Sequence, residues 1–194
     1  MPKKKLSLTR ILGIGLILCG VGLFLFFQIH ARVAEASAQV TVSKIEKLLP
    51  ERTKGLPGRY ADPAMPVLEM EGTDYAALIQ VPAFGVILPV GNAWDTGRLA
   101  SHPCRFWGSV YDSSLVIGGA DQRGQFDFCD QIDIGNAVII TDMTGAAFPY
   151  TVACVERAVR ADADWLLSED YDLTIFAKDA FSLEYLAVRC RLSN

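Results

Sequence analysis

The chain has 194 residues and a hydrophobic fraction of 51%, which suits one domain with a sizeable core and is too apolar for a disordered protein. Its net charge of −4 is unevenly distributed, since residues 1–32 contain five basic residues and no acidic one, whereas the remainder contains 13 basic and 22 acidic residues. An acidic body lacks the clustered positive charge that phosphate binding needs, so the composition argues against a nucleic-acid partner.

A long apolar segment follows the basic N-terminus. Residues 11–29 contain no charge and one polar side chain, Gln28, and as a helix they would span about 28 Å, close to the hydrocarbon core of a bilayer. Basic residues precede this segment, which predicts a cytoplasmic flank over residues 1–10, a single transmembrane helix over 11–29 and an exported body. A cleaved signal peptide is the alternative, because Ala36-Ser37-Ala38 fits a small-x-small cleavage site, although the apolar run exceeds the roughly 7 to 15 residues of a signal core.

The exported body begins with a helix and a linker. Residues 33–49 have apolar side chains mostly at helical spacing, which predicts a juxtamembrane amphipathic helix. Residues 50–66 contain four prolines and two glycines, which predicts a linker or surface loop without regular structure. We therefore group residues 30–66 as juxtamembrane helix and Pro-rich linker, and residues 67–194 as the folded domain.

Short strands separated by turn residues make up the folded domain. No helix-length amphipathic segment alternates with them, which favours a mainly antiparallel barrel or sandwich over a Rossmann fold. The predicted strands are residues 76–81, 86–90, 115–117, 137–141, 147–157, 173–176 and 185–192.

Cysteine and histidine limit the chemistry of the body. Its four cysteines permit one or two disulfides outside the cell, and strand alternation favours a buried thiol over a disulfide for Cys190. There is no Cys-x-x-Cys pair and His102 is the body's only histidine, so we expect no zinc site and no cofactor. The sequence also lacks the Gly-x-Ser-x-Gly elbow of serine hydrolases. The cysteines are Cys104, Cys129, Cys154 and Cys190.

Two acidic patterns have plain structural interpretations. Asp95-Thr96-Gly97 is similar to the aspartic protease triplet, but a second copy is missing, so a loop with a turn glycine is favoured. Five acidic residues crowd another loop and could hold calcium through oxygen ligands, although a solvated acidic loop is the favoured interpretation. These five are Asp162, Asp164, Glu169, Asp170 and Asp172.

The order of several segments resembles the sortase family over about residues 76–192. The resemblance is carried by Val81-Pro82-Ala83-Phe84-Gly85-Val86-Ile87-Leu88-Pro89-Val90, Ser114-Leu115-Val116-Ile117-Gly118-Gly119, Gln125-Phe126, Ile134-Gly135-Asn136-Ala137-Val138, Gly145, Tyr150 and Asp172-Leu173-Thr174-Ile175-Phe176. Together with the N-terminal anchor and the following helix, it is most similar to class B-type sortases of Gram-positive bacteria. It implies a mainly β fold, an eight-stranded β-barrel with short helices and a surface groove, preceded by a transmembrane helix.

Sortases are cysteine transpeptidases that use a cysteine nucleophile, a histidine acid–base and an arginine. Position by position, the resemblance places Ala120 where the family has histidine, Lys178 where it has cysteine, and Tyr185 where it has arginine. Alanine cannot transfer a proton, and lysine does not replace a thiolate without strong desolvation or a cationic neighbour. Losing a nucleophile together with its partners leaves little more than binding.

The resemblance also defines candidate groove residues around Lys178. Asp121 or Asp179 would be placed to pair with the Lys178 ammonium, although a solvated lysine is the favoured interpretation. Arg189 lies four residues after Tyr185 on the same strand face and would supply a cation from about 13 Å along the strand.

The sequence therefore predicts a single-pass cell-membrane protein with a cytoplasmic N-terminus and an extracellular domain, a catalytically inactive sortase homologue that binds a sorting-signal-like peptide or a cell-surface protein. The enzymatic alternative is an active sortase-type transpeptidase that cleaves a sorting signal and anchors surface proteins to the cell wall. Its nucleophile would then be a residue other than the one at position 178, or Lys178 would act in amide chemistry. A third alternative is a decayed copy without selected activity, against which the intact strand pattern argues mildly.

Overall fold

The computed structural model describes residues 8–58, 62–179 and 182–193. Within these residues the chain forms two α-helices, one 3₁₀ helix and ten strands. The elements are α1 (Leu8–Leu48), β1 (Thr53–Lys54), β2 (Leu68–Met70), β3 (Thr73–Val81), the 3₁₀ helix (Pro82–Phe84), β4 (Val86–Gly91), β5 (Cys104–Trp107), β6 (Leu115–Ala120), β7 (Ala137–Asp142), β8 (Ala146–Ala158), α2 (Ala163–Leu166), β9 (Leu173–Lys178) and β10 (Tyr185–Leu192).

Strands β3 to β10 close into an eight-stranded barrel. Going round its wall the order is β3-β4-β5-β6-β9-β10-β8-β7, and β7 pairs with β3 to complete the circle. The β4–β5 and β6–β9 pairs are parallel, and the other pairs of the wall are antiparallel. The predicted mainly β, eight-stranded barrel is confirmed, with β1 and β2 as short additions beside β8 and β3.

The core of the barrel follows from strand alternation, because every second side chain of a strand points to the same face. The inward positions are dominated by branched apolar residues with essentially no exposed surface, each of which stabilises the fold by about 1.5 to 3 kcal/mol when fully buried. Examples are Ile79, Ile117, Ile140, Ile175 and Val188.

The C-terminal part of α1 docks on the outside of the barrel. Val42 and Ile45 are buried against Tyr75 and Leu78 of β3. A helix of 41 residues is about 60 Å long, so one continuous element covers both the apolar segment and the predicted juxtamembrane helix. Within the described residues, the structure contains no helix that meets the length and apolar character required of a membrane span. The transmembrane helix over residues 11–29 stays a prediction.

Parts of the strand pattern were not anticipated. The expectation that residues 50–66 lack regular structure is wrong at β1, where Thr53 pairs with Ala146 and the Gly55 amide donates to the Ala147 carbonyl. Pro50 and Pro57, which have no backbone N–H, lie outside this strand, so the amides between them can donate to β8. Strands β2 and β5 were missed because β2 has only three residues and β5 has only four, too few for a clear period.

Candidate functional site

Ala120, Lys178 and Tyr185, which we call the three substituted positions, lie side by side on neighbouring strands. Lys178 is the last residue of β9, where parallel β6 pairs it with Ala120 and antiparallel β10 pairs it with Tyr185. Adjacent strands are about 4.8 Å apart, so the three residues occupy one short stretch across the barrel wall. The structure brings all three together, while their correspondence to catalytic positions stays a prediction.

The side chains at these positions differ from the histidine, cysteine and arginine that the resemblance implies. Lys178 is exposed, and its Nζ lies 5.6 Å from the centre of the Tyr185 ring. Such a cation–π contact contributes about 0.5 to 1 kcal/mol at an exposed site. Ala120 carries no proton to transfer, and Tyr185 supplies no cation to stabilise an oxyanion. The cluster therefore presents an ammonium group over an aromatic ring.

Asp179, one of the two carboxylates considered as partners of Lys178, has other partners in the structure. Asp179 Oδ2 accepts a hydrogen bond from Arg157 Nη1 at 3.3 Å, and its Oδ1 accepts one from the Ser182 amide at 3.0 Å. The Arg157–Asp179 contact is an ion pair in which the Asp179 side chain is 17% exposed. Asp179 thus stabilises the turn between β9 and β10, and a pair of Lys178 with Asp121 or Asp179 stays a hypothesis.

Arg189 is buried, which corrects the expectation that it supplies a cation to the groove. Its side chain is 1% exposed and donates to Glu156 Oε2 at 3.2 Å, Thr174 Oγ1 at 3.0 Å and the Leu166 carbonyl at 3.3 Å. It also donates to the Trp165 carbonyl and lies over the Trp165 ring. Strand alternation placed Arg189 correctly on the face of Tyr185, but the segment between β8 and β9 folds over that face and surrounds the guanidinium.

An aromatic cluster, which we call the aromatic cap, covers the outer face of β6 and β9. Trp94, Phe106 and Phe176 form it, with ring centres 5.1 to 5.6 Å apart. A β-carbon on Gly118 would lie 2.6 Å from Phe176 and closer still to Trp94, so only glycine lets the cap approach the strand. Sequence reasoning missed the cap, although glycine inside a strand is a known sign of such a close approach.

Two adjoining cavities flank the aromatic cap, and we call them the outer groove. One has a volume of about 470 Å³ and contacts Trp94 and Phe106, and the other, of about 460 Å³, contacts Val116 and Leu166. They adjoin at Trp107, which lines both and is 58% exposed. Exposed aromatic and apolar surface of this kind is typical of binding sites. In the described part of the chain, neither cavity is lined by the three substituted positions.

Three of the barrel's four cysteines are buried. Cys104, Cys129 and Cys190 are buried free thiols, and burial raises the pKa of each, that of Cys190 to about 12. Cys154 is partly buried, with its Sγ 3.9 Å from Glu156 Oε1. A reactive cysteine needs an accessible sulfur and a lowered pKa. The buried thiol predicted for Cys190 is confirmed.

The acidic loop before β9 has structural contacts. Asp162 caps α2 by accepting a hydrogen bond from the Trp165 amide at 2.9 Å. Asp172 accepts one from the Leu192 amide at 2.7 Å and so ties the loop to β10. Over the residues that the structure describes, no group of three or more His, Cys, Asp or Glu side chains is arranged to hold a metal ion.

The fold is similar to those of solved sortase structures. No protein-family model and no curated protein sequence matches this chain. A lid mutant of sortase A from Corynebacterium diphtheriae superposes with a TM-score of 0.53 at 20% identity, covering 62% of this chain and 70% of that one. Sortase C from Clostridium perfringens SM101 has a TM-score of 0.55 at 17% identity, covering 62% and 71%.

A second sortase A structure from Corynebacterium diphtheriae matches over a longer region. It covers 84% of both chains with a TM-score of 0.55 at 16% identity. These identities support a statement about architecture, and the expected closeness to class B sortases stays a prediction. The resemblance inferred from the sequence is confirmed at the level of the fold: this chain has the sortase fold.

Proposed function

We propose that this protein is a membrane-anchored, extracytoplasmic sortase homologue that lacks transpeptidase chemistry and binds a peptide or protein partner. The observation that carries the proposal is the pairing of Ala120, Lys178 and Tyr185 on adjacent strands, where the resemblance to sortases expects histidine, cysteine and arginine. The burial of Cys104, Cys129 and Cys190 adds support, because no thiol among them is accessible for attack on a peptide. The proposal places the protein at the surface of a Gram-positive bacterium.

A peptide lying along the outer groove is the proposed mode of binding. One of the similar structures is a Clostridium perfringens sortase C solved with a C-terminal cell wall sorting motif. In this chain, Trp94 and Trp107 line the outer groove with exposed aromatic surface. Large aromatic residues are frequent binding hot spots because they bury much apolar area with little loss of conformational freedom.

The membrane anchor is part of this proposal. Residues 11–29 have the length and composition of a span, and the described side chains between Ile14 and Phe26 include large apolar groups that are at least half exposed in the isolated chain, such as Leu16 and Phe24. Burial of this surface in lipid, with the basic residues that precede it in the cytoplasm, would place residues 33–194 outside the cell.

The test for chemistry is a cleavage assay with the full chain in detergent. A fluorescent peptide carrying a C-terminal cell wall sorting motif is expected to remain intact, and the chain is expected to be equally inert with Lys178→Ala and with the exposed control Lys47→Ala. Cleavage that Lys178→Ala abolishes, and that Lys47→Ala does not, would refute the loss of chemistry. Cleavage blocked by thiol alkylation would instead establish a cysteine enzyme.

The test for binding is a titration with the same peptide. Trp94→Ala is expected to weaken binding by about 30-fold, the loss typical of a hot-spot aromatic of about 2 kcal/mol. Phe84→Ala is the matched control, because Phe84 lies in the 3₁₀ helix and lines a different cavity. Equal affinities of the two variants would contradict peptide binding in the outer groove.

A gain-of-function variant tests whether residues 120, 178 and 185 occupy the positions of the sortase histidine, cysteine and arginine. The triple variant Ala120→His, Lys178→Cys, Tyr185→Arg is expected to acquire a thiol that alkylates faster than Cys154, since a nearby cation and imidazole lower the pKa of a cysteine. A thiol at position 178 that reacts no faster than Cys154 would contradict the correspondence.

A further inference from the structure

Strand β5 has one edge that is almost unpaired. It pairs with β6 along one edge, whereas along the other it pairs with β4 only between Cys104 and Gly91. Strand β4 ends at Gly91, and the Asn92 amide then donates to the Asp74 carbonyl of β3 at 2.8 Å, on the side away from β5. Within the described residues, the part of β5 after Cys104 therefore has no strand beside it on this edge, which we call the open edge. Such an edge presents backbone N–H and C=O groups that can bond to another chain.

The 470 Å³ cavity of the outer groove lies along the open edge. It contacts Arg105, Phe106 and Trp107 of β5, and it also contacts Ala93 and Trp94 of the connection that follows β4. Three residues of a strand span about 10 Å, so this edge is long enough to pair with a short extended peptide. The cavity therefore occupies the place beside β5 that a further strand would take.

Arg105 fixes two walls of this cavity relative to each other. Its Nε donates to the Asn92 carbonyl at 3.0 Å, its Nη2 to Asn92 Oδ1 at 2.8 Å and its Nη1 to the Gly108 carbonyl at 3.2 Å. Asn92 follows β4 and Gly108 follows β5, so one side chain connects the segments on both sides of the cavity. A site whose walls are already fixed loses little further conformational freedom when a ligand enters.

The outer groove carries more negative than positive charge. Among the described residues that line its two cavities, Arg105 is the one basic side chain, and four side chains are carboxylates. Both Asp112 and the exposed Trp107 line the two cavities where they adjoin. Carboxylates attract a cation, and tryptophan is the best aromatic partner for one, so this junction favours a basic side chain. The four carboxylates are Asp62, Asp112, Glu169 and Asp172.

We infer that the bound peptide adds a strand to the open edge of β5 and places a lysine or arginine side chain at Trp107 and Asp112, an inference that rests on the proposed binding of a peptide in the outer groove. Main-chain hydrogen bonds to β5 supply affinity, and side-chain contacts supply specificity, as in other cases of strand addition. Trp94 and Phe106 of the aromatic cap receive an apolar side chain of the peptide. The partner is therefore an extended segment that combines apolar residues with a basic one.

N-methylated peptides test the pairing of the two main chains. The probe is acetyl-Thr-Val-Leu-Lys-Leu-Val-Thr-amide, whose palindromic sequence fits either strand direction. Successive N–H groups of a strand point to opposite edges, so methylating the lysine amide and methylating the two leucine amides block opposite edges of one peptide. In a titration of the full chain in detergent, one methylated peptide is expected to bind about fivefold more weakly than the parent, the loss of one hydrogen bond, and the other to bind unchanged. Equal losses from both, or no loss from either, would overturn strand addition.

Hydrogen exchange tests the same pairing from the side of the protein. At least one amide among Arg105, Phe106 and Trp107 is expected to exchange more slowly when the parent peptide saturates the chain. The Gly135 amide, which donates to the Val152 carbonyl away from the groove, is the control and should exchange at an unchanged rate. Unchanged exchange at all three β5 amides would contradict strand addition.

A second peptide tests the basic side chain. Replacing the lysine by norleucine is expected to weaken binding about twofold to fivefold, as for an exposed charge pair. Asp112→Asn should weaken the lysine peptide by a similar factor and leave the norleucine peptide unaffected, whereas Asp133→Asn, an exposed control elsewhere on the barrel, should affect neither. Norleucine binding as tight as lysine binding, or equal effects of Asp112→Asn on both peptides, would refute the basic side chain.

Failure of strand addition and failure of the proposed function give different results. If the parent peptide binds and Trp94→Ala weakens it, but both methylated peptides lose affinity equally, strand addition is refuted and peptide binding in the outer groove survives. If the parent peptide does not bind, strand addition is refuted, and the titration with the sorting-motif peptide decides the proposed function separately. Protection of the β5 amides that rises with protein concentration in the absence of peptide would identify a second copy as the occupant and would also overturn the inference.

Discussion

Replacing Arg189 by methionine should release the segment between β8 and β9 from the barrel wall. Methionine fills a similar volume but cannot donate to the carbonyls of Trp165 and Leu166, to Thr174 or to Glu156. Hydrogen bonds from a charged donor contribute about 1.5 to 3 kcal/mol each to stability. The replacement loses these bonds, but it also removes the desolvation cost of the buried guanidinium, which offsets part of the loss.

The net cost of this replacement follows from the surroundings of the side chain. Glu156 keeps 34% of its side-chain surface exposed and can be solvated when its partner is lost. The freed carbonyls can also reach water, but only if the buried Leu166 leaves its cluster, which costs about 1.5 to 3 kcal/mol. We therefore expect Arg189→Met to reduce the free energy of local opening by about 2 to 4 kcal/mol.

Hydrogen exchange of the full chain measures this local opening. The amides of Leu166 and Leu167, which donate to the carbonyls of Asp162 and Ala163, should exchange roughly 30-fold to 1,000-fold faster, as 1.4 kcal/mol corresponds to tenfold. Arg191→Met is the matched control, because Arg191 lies on the same strand but is exposed. Unchanged exchange at Leu166 and Leu167, or an equal effect of both variants, would refute the role assigned to Arg189.

Three further predictions concern the barrel. Gly118→Ala should displace Trp94 from the aromatic cap, cost about 1 to 3 kcal/mol in urea unfolding and shift the tryptophan emission, because the new β-carbon has no room. Asp142→Ala should cost about 2 to 4 kcal/mol, since the buried carboxylate accepts hydrogen bonds from the Tyr111 hydroxyl and from the following turn. The unfolding free energy should fall as the pH rises from 9 towards 12, by up to about 1.4 kcal/mol per unit for Cys190, because the unfolded thiol ionises first and its raised folded pKa keeps the native thiol protonated.

Each of these predictions has an internal control. Gly97→Ala should be nearly neutral, because its new β-carbon meets only the flexible carboxylate of Asp95. Asp142→Asn should recover most of the stability lost in the alanine variant, since one oxygen is retained and the amide can donate to Tyr111. Cys190→Ala should reduce the alkaline slope by up to about 1.4 kcal/mol per pH unit and leave the contributions of Cys104 and Cys129. Equal slopes with and without Cys190, or equal losses for both Asp142 variants, would contradict the reasoning.

The strands were largely predictable because their signal is local. Alternation of apolar residues located the cores of β3, β4 and β6 to β10, and it placed Tyr185 and Arg189 on one face of β10. The order of segments also indicated the sortase fold. Very short strands such as β5 carry too few residues for a period, so their existence depends on neighbours that the local sequence does not reveal.

The candidate site was predictable only in its strand positions. Sequence order placed Ala120, Lys178 and Tyr185 at strand ends, and the register of β6, β9 and β10 made them neighbours. The partners of Asp179 and Arg189 were not predictable, because each is chosen by a segment distant in sequence. Arg157 and the loop carrying Leu166 reach these residues only once the barrel has closed.

By itself, the sequence determined the net charges of the two parts of the chain, the identity of the residues at positions 120, 178 and 185, and the period-two pattern that builds a barrel wall. Only the tertiary structure decided that Arg189 is enclosed, that an aromatic cap covers Gly118, and that His102 is buried. The physical reason is the separation along the chain of the residues that interact. Alternation and composition act between residues close in the chain, whereas burial, pairing and cavities arise between segments that are distant in sequence and meet only in the folded state.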